Sequence, residues 1–104
     1  MLQKTLEQLT EEGKRNFLNQ LVDRVPRLSD EEFDEAYQAS LKFDVDLGAK
    51  YLLAKKQNET AVLLLENYKK NVNAAELCKQ LGWKDRAVEN FLLAKETKKA
   101  VEVY

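Results

Sequence analysis

A thirteen-residue period runs through the second half of the chain and constrains its fold more than any other feature. Small residues recur at this interval, at Gly48, Ala61, Ala74, Ala87 and Ala100. The residue four places after each of them is apolar: Leu52, Leu65, Cys78, Phe91 and Tyr104. Positions i and i+4 lie on one face of an α-helix, and a small residue allows two helices to approach closely. The period therefore predicts a series of short helices packed in sequence order.

Helix start signals recur with the same spacing. Asn58, Asn71 and Thr97 each lie three residues before a small position, and all three are favoured N-cap residues. The fourth residue of this series is Lys84, where the preceding Gly82 is expected to end one helix before the next begins. One period then holds a helix of about 8 to 10 residues and a tight turn.

The first part of the chain carries helix signals without the period. Leu2, Leu6 and Leu9 predict an amphipathic helix over residues 1–9. Thr10 is expected to cap a second helix that Pro26 ends. A capping box at residues 29–32, in which Ser29 and Glu32 satisfy each other's backbone donors, predicts a third helix to about Phe43.

The overall composition agrees with an all-helical chain. Only three glycines and one proline occur in 104 residues, fewer turn residues than sheet proteins need. The predicted fold class is all-α, an α-α superhelix in which about seven or eight short antiparallel helices form a right-handed solenoid. We expect a single helical-repeat domain over residues 1–104, with capping helices in 1–45 and short repeats in 46–104.

The residue types available argue against catalysis. The chain has no histidine, which removes the usual general base near neutral pH and the commonest metal ligand. Its single cysteine, Cys78, falls at an apolar position of the repeat and is expected to be a buried structural thiol. Asp44 and Asp46 lack the further ligands of a calcium loop. We therefore predict no catalytic residue, no cofactor and no metal.

Charge and cysteine usage bear on partners and location. Residues 1–46 carry 6 basic and 11 acidic side chains, whereas residues 47–104 carry 11 and 7. This asymmetry is typical of two solvated faces of opposite sign, and it leaves open an acidic partner for the basic part. A lone cysteine and the lack of an apolar leader or membrane span predict a cytoplasmic protein without a membrane partner.

Residues 82–94 resemble the second helix of a tetratricopeptide repeat. Gly82, Ala87, Phe91 and Ala94 fall at the places of that motif's turn glycine, small residue, aromatic residue and closing alanine. Residues 74–78 are similar to the first helix of the same repeat, and residues 93–104 resemble the short-helix solenoids of clathrin and coat-protein heavy chains. The two-helix unit spans 26 residues here, shorter than the 34 of the tetratricopeptide unit.

This resemblance implies a protein-interaction module that serves as a scaffold or adaptor. In such folds the first helix of each pair lines a concave groove, which by position would hold Lys50, Leu53, Glu76, Lys79 and Gln80. The lysines imply a peptide or helix of acidic character as the partner. Trp83 is interpreted either as packed over its turn or as an exposed aromatic anchor.

Two further hypotheses concern the C-terminal part. Residues 73–95 also resemble a helix-turn-helix, in which Lys84, Arg86 and Asn90 would face phosphates and bases. This alternative leaves the period beyond those residues unexplained, so nucleic acid is the less favoured partner. Apolar Val101, Val103 and Tyr104 predict an open edge. Through it the last helix would associate with a partner or a second copy, or the last helix would fray.

Overall fold

The computed structural model describes residues 2–104, so the predicted helix start at Met1 lies outside the described residues. This range contains eight α-helices, one 3₁₀-helix at Val22–Arg27 and no strand. The α-helices are α1 Leu2–Glu7, α2 Glu11–Leu21, α3 Asp30–Phe43, α4 Val45–Ala54, α5 Asn58–Asn67, α6 Asn71–Leu81, α7 Lys84–Leu93 and α8 Thr97–Glu102. The all-α prediction is confirmed, and helices pack against their neighbours in sequence order, as in a helical-repeat arrangement.

The predicted caps of the first helices are confirmed. The Thr10 hydroxyl accepts a hydrogen bond from the Gly13 N–H at 3.1 Å. The Ser29 hydroxyl accepts from the Glu32 N–H, and the Glu32 carboxylate accepts from the Ser29 N–H, each at 3.1 Å. Satisfying these free N–H groups fixes where α2 and α3 begin.

The sequence predicted that Pro26 ends α2, and this prediction is wrong. The α-helix stops at Leu21, and residues 22–27 continue as a 3₁₀-helix that contains the proline. Proline has a helix-compatible φ but no N–H, so the chain tightens into 3₁₀ geometry around it. Val25, on the inner side of this turn, is buried.

The thirteen-residue period is present in the backbone itself. Residues with positive φ occur at Lys56, Lys69, Gly82 and Lys95, each thirteen positions after the last. At every one, the next residue donates its N–H to a carbonyl five positions back: Gln57 to Leu52, Lys70 to Leu65, Trp83 to Cys78 and Glu96 to Phe91. This is the Schellman termination of a helix, repeated four times. Each turn therefore redirects the chain in the same way.

The helix starts lie one residue earlier than predicted. Asn71 and Thr97 are the first helical residues, and Lys70 and Glu96 occupy the N-cap positions without a side-chain hydrogen bond that caps the helix. Asn58 is likewise the first residue of α5. Because the N-cap follows directly on the left-handed residue, the backbone turn starts the next helix and no capping side chain is needed. The Asn71 amide is used elsewhere.

The chain forms two compact units, residues 1–61 and 62–104, which divide within α5. In the first unit α3 packs on α4, and α2 packs on α3. The Tyr51 ring is fully buried, and its hydroxyl donates to the Leu18 carbonyl at 2.5 Å. At buried Gly48, an added Cβ would lie 2.6 Å from the Leu41 side chain. The small residue is needed here because α3 and α4 approach so closely.

In the second unit α6 packs on α7, and α7 packs on α8. Its core includes the predicted repeat positions Ala74, Cys78, Ala87, Phe91 and Ala100, all of which are buried. A cluster of Ala75, Phe91 and Ala100 holds α8 in place, and Val88 and Val103 pack against it. Val103 is thus partly buried against this cluster, which corrects its predicted place on an unpaired open edge.

Candidate interaction surface

A polar network lies inside the second unit and holds α5, α6 and α7 in register. The Arg86 guanidinium donates to both carboxylate oxygens of Glu66, from Nε at 3.1 Å and from Nη2 at 2.7 Å. Both side chains are mostly buried, at 28% and 24% exposure. The hydrogen bonds from Arg86 hold the pKa of the Glu66 carboxyl below its ordinary value, against the opposing effect of burial.

Asn90 completes this network from a buried position. Its amide nitrogen donates to Glu66 at 2.7 Å and to the Arg86 carbonyl at 3.0 Å, and its amide oxygen accepts from Asn71 at 2.9 Å. Every hydrogen-bonding group of the Asn90 side chain is therefore used. A buried polar side chain with all its partners made fixes the relative position of the helices that carry it.

The same network bears on the helix-turn-helix alternative. That hypothesis needs Lys84, Arg86 and Asn90 to face outward together. Only Lys84 is exposed, whereas Arg86 is paired with Glu66 and Asn90 is 1% exposed. Two of the three side chains are thus engaged inside the unit.

The large apolar side chains that face solvent are concentrated in the second unit. Among residues 4–104, whose side chains the structure describes, six are exposed: Leu63, Tyr68, Leu92, Leu93, Val101 and Tyr104. All six belong to residues 62–104. Scattered apolar side chains are ordinary on a protein surface, but their restriction to one small unit is typical of an interaction site.

One end of the second unit combines apolar and basic groups. The turn between α5 and α6 and the last residues of α7 line a shallow depression of about 280 Å³, which includes Lys69, Lys70, Val72 and Leu93. Leu93 is 71% exposed. None of the lining residues is acidic. Tyr68 and Lys95 directly adjoin the lining residues in sequence, and we call Tyr68, Lys69, Lys70, Leu93 and Lys95 the basic apolar end.

The residues that sequence reasoning assigned to a groove lie in both units. Lys50 and Leu53 are on α4 in the first unit, the lysine exposed and the leucine half-buried. On α6 in the second unit, Lys79 and Gln80 are exposed and Glu76 is half-buried. These three share one face of α6 because their spacing is i, i+3 and i+4. A groove that joins both sets stays a prediction.

Trp83 and Tyr104 belong to the opposite end of the second unit from the basic apolar end. Trp83 is half-buried at the turn between α6 and α7, and the Arg86 guanidinium lies 5.9 Å from its ring centroid. Tyr104 is 74% exposed, and its hydroxyl donates to the Asp85 carboxylate. That hydrogen bond raises the pKa of the Tyr104 hydroxyl.

Sequence reasoning missed the basic apolar end because its lysines were not recognised as turn residues. Lys69 and Lys95 occupy left-handed positions where glycine is usual, and a lysine there projects from a helix terminus. The signal was available, since Lys56, Lys69 and Lys95 share the register of Gly82. Their thirteen-residue spacing from the turn glycine would have been enough to predict these lysines as turn residues.

The remaining observations concern the thiol of Cys78, metal binding, membrane spanning and the similarity of the chain to known proteins. Cys78 is a buried free thiol, as predicted, and burial raises its pKa. No group of three acidic or cysteine side chains in residues 2–104 is arranged to hold a metal ion. Each described helix is too short or too polar to span a bilayer. Comparison of the chain with protein-family models, with curated proteins and with solved structures yields no match.

Proposed function

We propose that the chain is a non-enzymatic protein-interaction module, a scaffold or adaptor built from tetratricopeptide-like helical repeats. The observation that carries this proposal is the restriction of all exposed large apolar side chains among residues 4–104 to residues 62–104. A cytoplasmic location is part of the proposal. It is supported by cysteine usage, since the only cysteine of the sequence, Cys78, has no second cysteine with which to form an intramolecular disulfide.

The basic apolar end indicates the chemistry of the partner. Leu93 offers an apolar contact, Lys69 and Lys70 line the same depression, and Lys95 follows two residues after Leu93 in the sequence. An acidic peptide with one large apolar side chain matches both features. The apolar contact would supply affinity, while the lysines would favour acidic sequences over others.

The test is selection of binders from a random twelve-residue peptide library, followed by affinity measurement in solution. Lys69→Gly with Lys95→Gly removes two charges at positions whose backbone suits glycine, so the fold is kept. We expect enriched peptides to be acidic with a central apolar residue. We expect this double variant, and separately Leu93→Ser, to weaken their binding about tenfold.

A matched control separates this surface from the groove predicted from the sequence. Lys79→Gln with Lys84→Gln also removes two charges from the second unit, on exposed residues away from the basic apolar end. Weaker binding with this control alone would move the site to the surface that carries Lys79 and Lys84. If no peptide is enriched, or if none of the variants changes binding, the proposed function is wrong.

Self-association through α8 is proposed on a separate observation. Val101 is 73% exposed on that helix, and Tyr104, three residues later in the sequence, is also exposed. These two apolar side chains, one on α8 and one just after it, offer a surface to a second copy. Sedimentation equilibrium of the chain and of Val101→Ser should show association only in the former. A monomer at millimolar concentration would contradict it.

A further inference from the structure

The first unit contains a cleft that the preceding function does not use. It lies between α1, the first turn of α2 and α3, and its volume is about 550 Å³. The apolar part of its lining consists of Leu6, Ala39 and Phe43. Ala39 and Phe43 are half-buried. Their spacing of i and i+4 forms an apolar strip along α3, which a second helix could cover.

Acidic side chains surround this strip. Glu7 and Glu11 line the cleft from α1 and α2, and Asp34 and Glu35 line it from α3. Lys14 and Lys42 are the basic residues of the lining, and Lys14 is already paired with Glu11 at 3.5 Å. Asp34 and Glu35 form no ion pair with any residue in the described range. The cleft therefore has an excess of negative charge close to an apolar floor.

One contact within the unit shows that the Phe43 ring, which lines the cleft, can interact with a cation. The Arg15 guanidinium lies 5.9 Å from the centroid of the Phe43 ring. Arg15 is exposed and does not itself line the cleft. An aromatic face with carboxylates nearby attracts a basic side chain both through the ring and through Coulomb forces.

We propose that this cleft binds a short, basic amphipathic helix of a partner protein. The apolar strip matches leucine-type anchors spaced i and i+4, and the four carboxylates match lysines or arginines beside them. The lined part of α3, residues 34–43, spans about 15 Å, so a partner segment of two to three turns would fill it. This site goes beyond the function proposed above, since it lies in the other unit and takes a partner of opposite charge.

The probe is a fluorescein-labelled fourteen-residue peptide with leucines at helical i, i+3 and i+4 spacing and lysines at its remaining interior positions. We expect fluorescence anisotropy to give saturable binding at 150 mM salt. A scrambled peptide of the same composition measures non-specific charge attraction. Binding that is equal for both peptides, or absent for both, would overturn the proposal.

Two variants locate the binding. Asp34→Lys with Glu35→Lys reverses two charges in the cleft and should weaken binding at least about tenfold. Asp23→Lys with Glu59→Lys makes the same charge change at exposed positions of the unit that do not line the cleft, and should change binding less than about threefold. Equal losses in both variants would refute a site in the cleft.

Two measurements complete the test. The milder Asp34→Asn with Glu35→Gln change removes the charges but keeps side-chain size, and it should also weaken binding. An unchanged circular dichroism spectrum of this variant would exclude unfolding as the cause. Amide chemical shifts in the wild type should move at Leu6, Ala39 and Phe43 when the peptide is added. Concentration-dependent self-association that Asp34→Lys with Glu35→Lys abolishes would instead assign the cleft to a second copy of the chain, and the proposal of a separate partner would be wrong.

Discussion

Arg86 on α7 holds the Glu66 carboxylate of α5 through two hydrogen bonds, of 3.1 and 2.7 Å, in a largely buried site. A guanidinium that donates in this paired fashion fixes both the position and the ionised state of its carboxylate. Buried Asn90 makes a third contact to the same group. The second unit therefore depends on one ionised acid, and this gives its stability a defined pH dependence.

Stability of the second unit should fall in acid because of Glu66. Its pKa is lowered in the folded state, so its contribution is present above the unfolded pKa of about 4.3 and is lost as pH falls through the folded value. Glu66→Gln should lower the free energy of unfolding at pH 7 by about 1 to 2 kcal/mol and reduce this acid dependence. Fluorescence of Trp83, the only tryptophan, would follow urea unfolding at pH 7 and pH 3.

Glu89→Gln is the matched control for that experiment. Glu89 is an exposed acid on α7, outside the network. Its substitution should leave both the stability and its pH dependence nearly unchanged. Equal effects of the two substitutions would mean that the Glu66 contacts contribute no more to the free energy of unfolding than an exposed surface charge does.

Glycine should stabilise the turns that now carry lysine. Lys69 and Lys95 have φ of 59° and 63°, in the left-handed region that side chains with a Cβ rarely occupy. Lys69→Gly and Lys95→Gly should each raise the free energy of unfolding by about 0.5 to 1 kcal/mol, and Gly82→Ala should lower it by about 1 kcal/mol. Urea unfolding monitored by Trp83 fluorescence would measure all three.

Lys79→Gly provides the contrasting case. This lysine is exposed within α6, in ordinary helical geometry. Glycine there should lower the free energy of unfolding by about 1 kcal/mol. If glycine has the same effect at Lys69 as at Lys79, the left-handed turn does not exist in solution.

Alkaline pH should unfold the first unit through Tyr51. Burial raises the pKa of its hydroxyl to about 12. A raised folded pKa means that the stabilising contribution is complete below the unfolded value of about 10 and is lost as pH rises towards the folded one. Absorbance at 295 nm should show one of the four tyrosines ionising last, together with loss of helical circular dichroism.

Tyr51→Phe tests the hydrogen bond in this prediction. The variant leaves the buried Leu18 carbonyl without its hydroxyl donor, at a cost of about 1 to 2 kcal/mol at pH 7. It should also remove the late tyrosine ionisation. A late ionisation that persists in the variant would assign it to another tyrosine.

Cys78 should resist thiol reagents in the native protein. It is fully buried, and its raised pKa keeps it in the less reactive thiol form. Reaction with an aromatic disulfide reagent should be at least about a hundredfold slower than after denaturation in urea, because local opening must precede it. Gln80→Cys in a Cys78→Ala background supplies an exposed thiol on the same helix. Similar native rates for the two thiols would contradict the burial.

The helices and their packing order could be predicted from the sequence because they depend on local patterns. Alanine at every thirteenth position and the capping box at Ser29 act within a few residues, and the structure confirms both. The helix starts at Asn71 and Thr97 were displaced by one residue. Their position is set by a left-handed backbone turn on lysine, and lysine is not a residue from which such a turn is inferred.

The polar network could not have been predicted in the same way. Glu66 and Arg86 are twenty residues apart, and Asn90 entered the sequence predictions only as an outward-facing residue of the helix-turn-helix alternative. Their meeting depends on how α5, α6 and α7 pack, which a single sequence does not specify. The acidic cleft was hidden for a similar reason. Asp34 and Glu35 line it together with residues of α1 and α2, and the sequence alone does not indicate which helices lie beside α3.

The four identical turns have a consequence for how such a chain can change in length. Each helix ends and the next begins with the same backbone hydrogen bonds, at positions thirteen residues apart. Deleting or duplicating thirteen residues, cut at any of these turns, would rejoin two equivalent backbone conformations and keep every later alanine facing inward. A change of twelve or fourteen would rotate the rest of the helix by about 100° and expose that face. Insertion or deletion of whole thirteen-residue units is therefore the change in length that best preserves the packing of this chain.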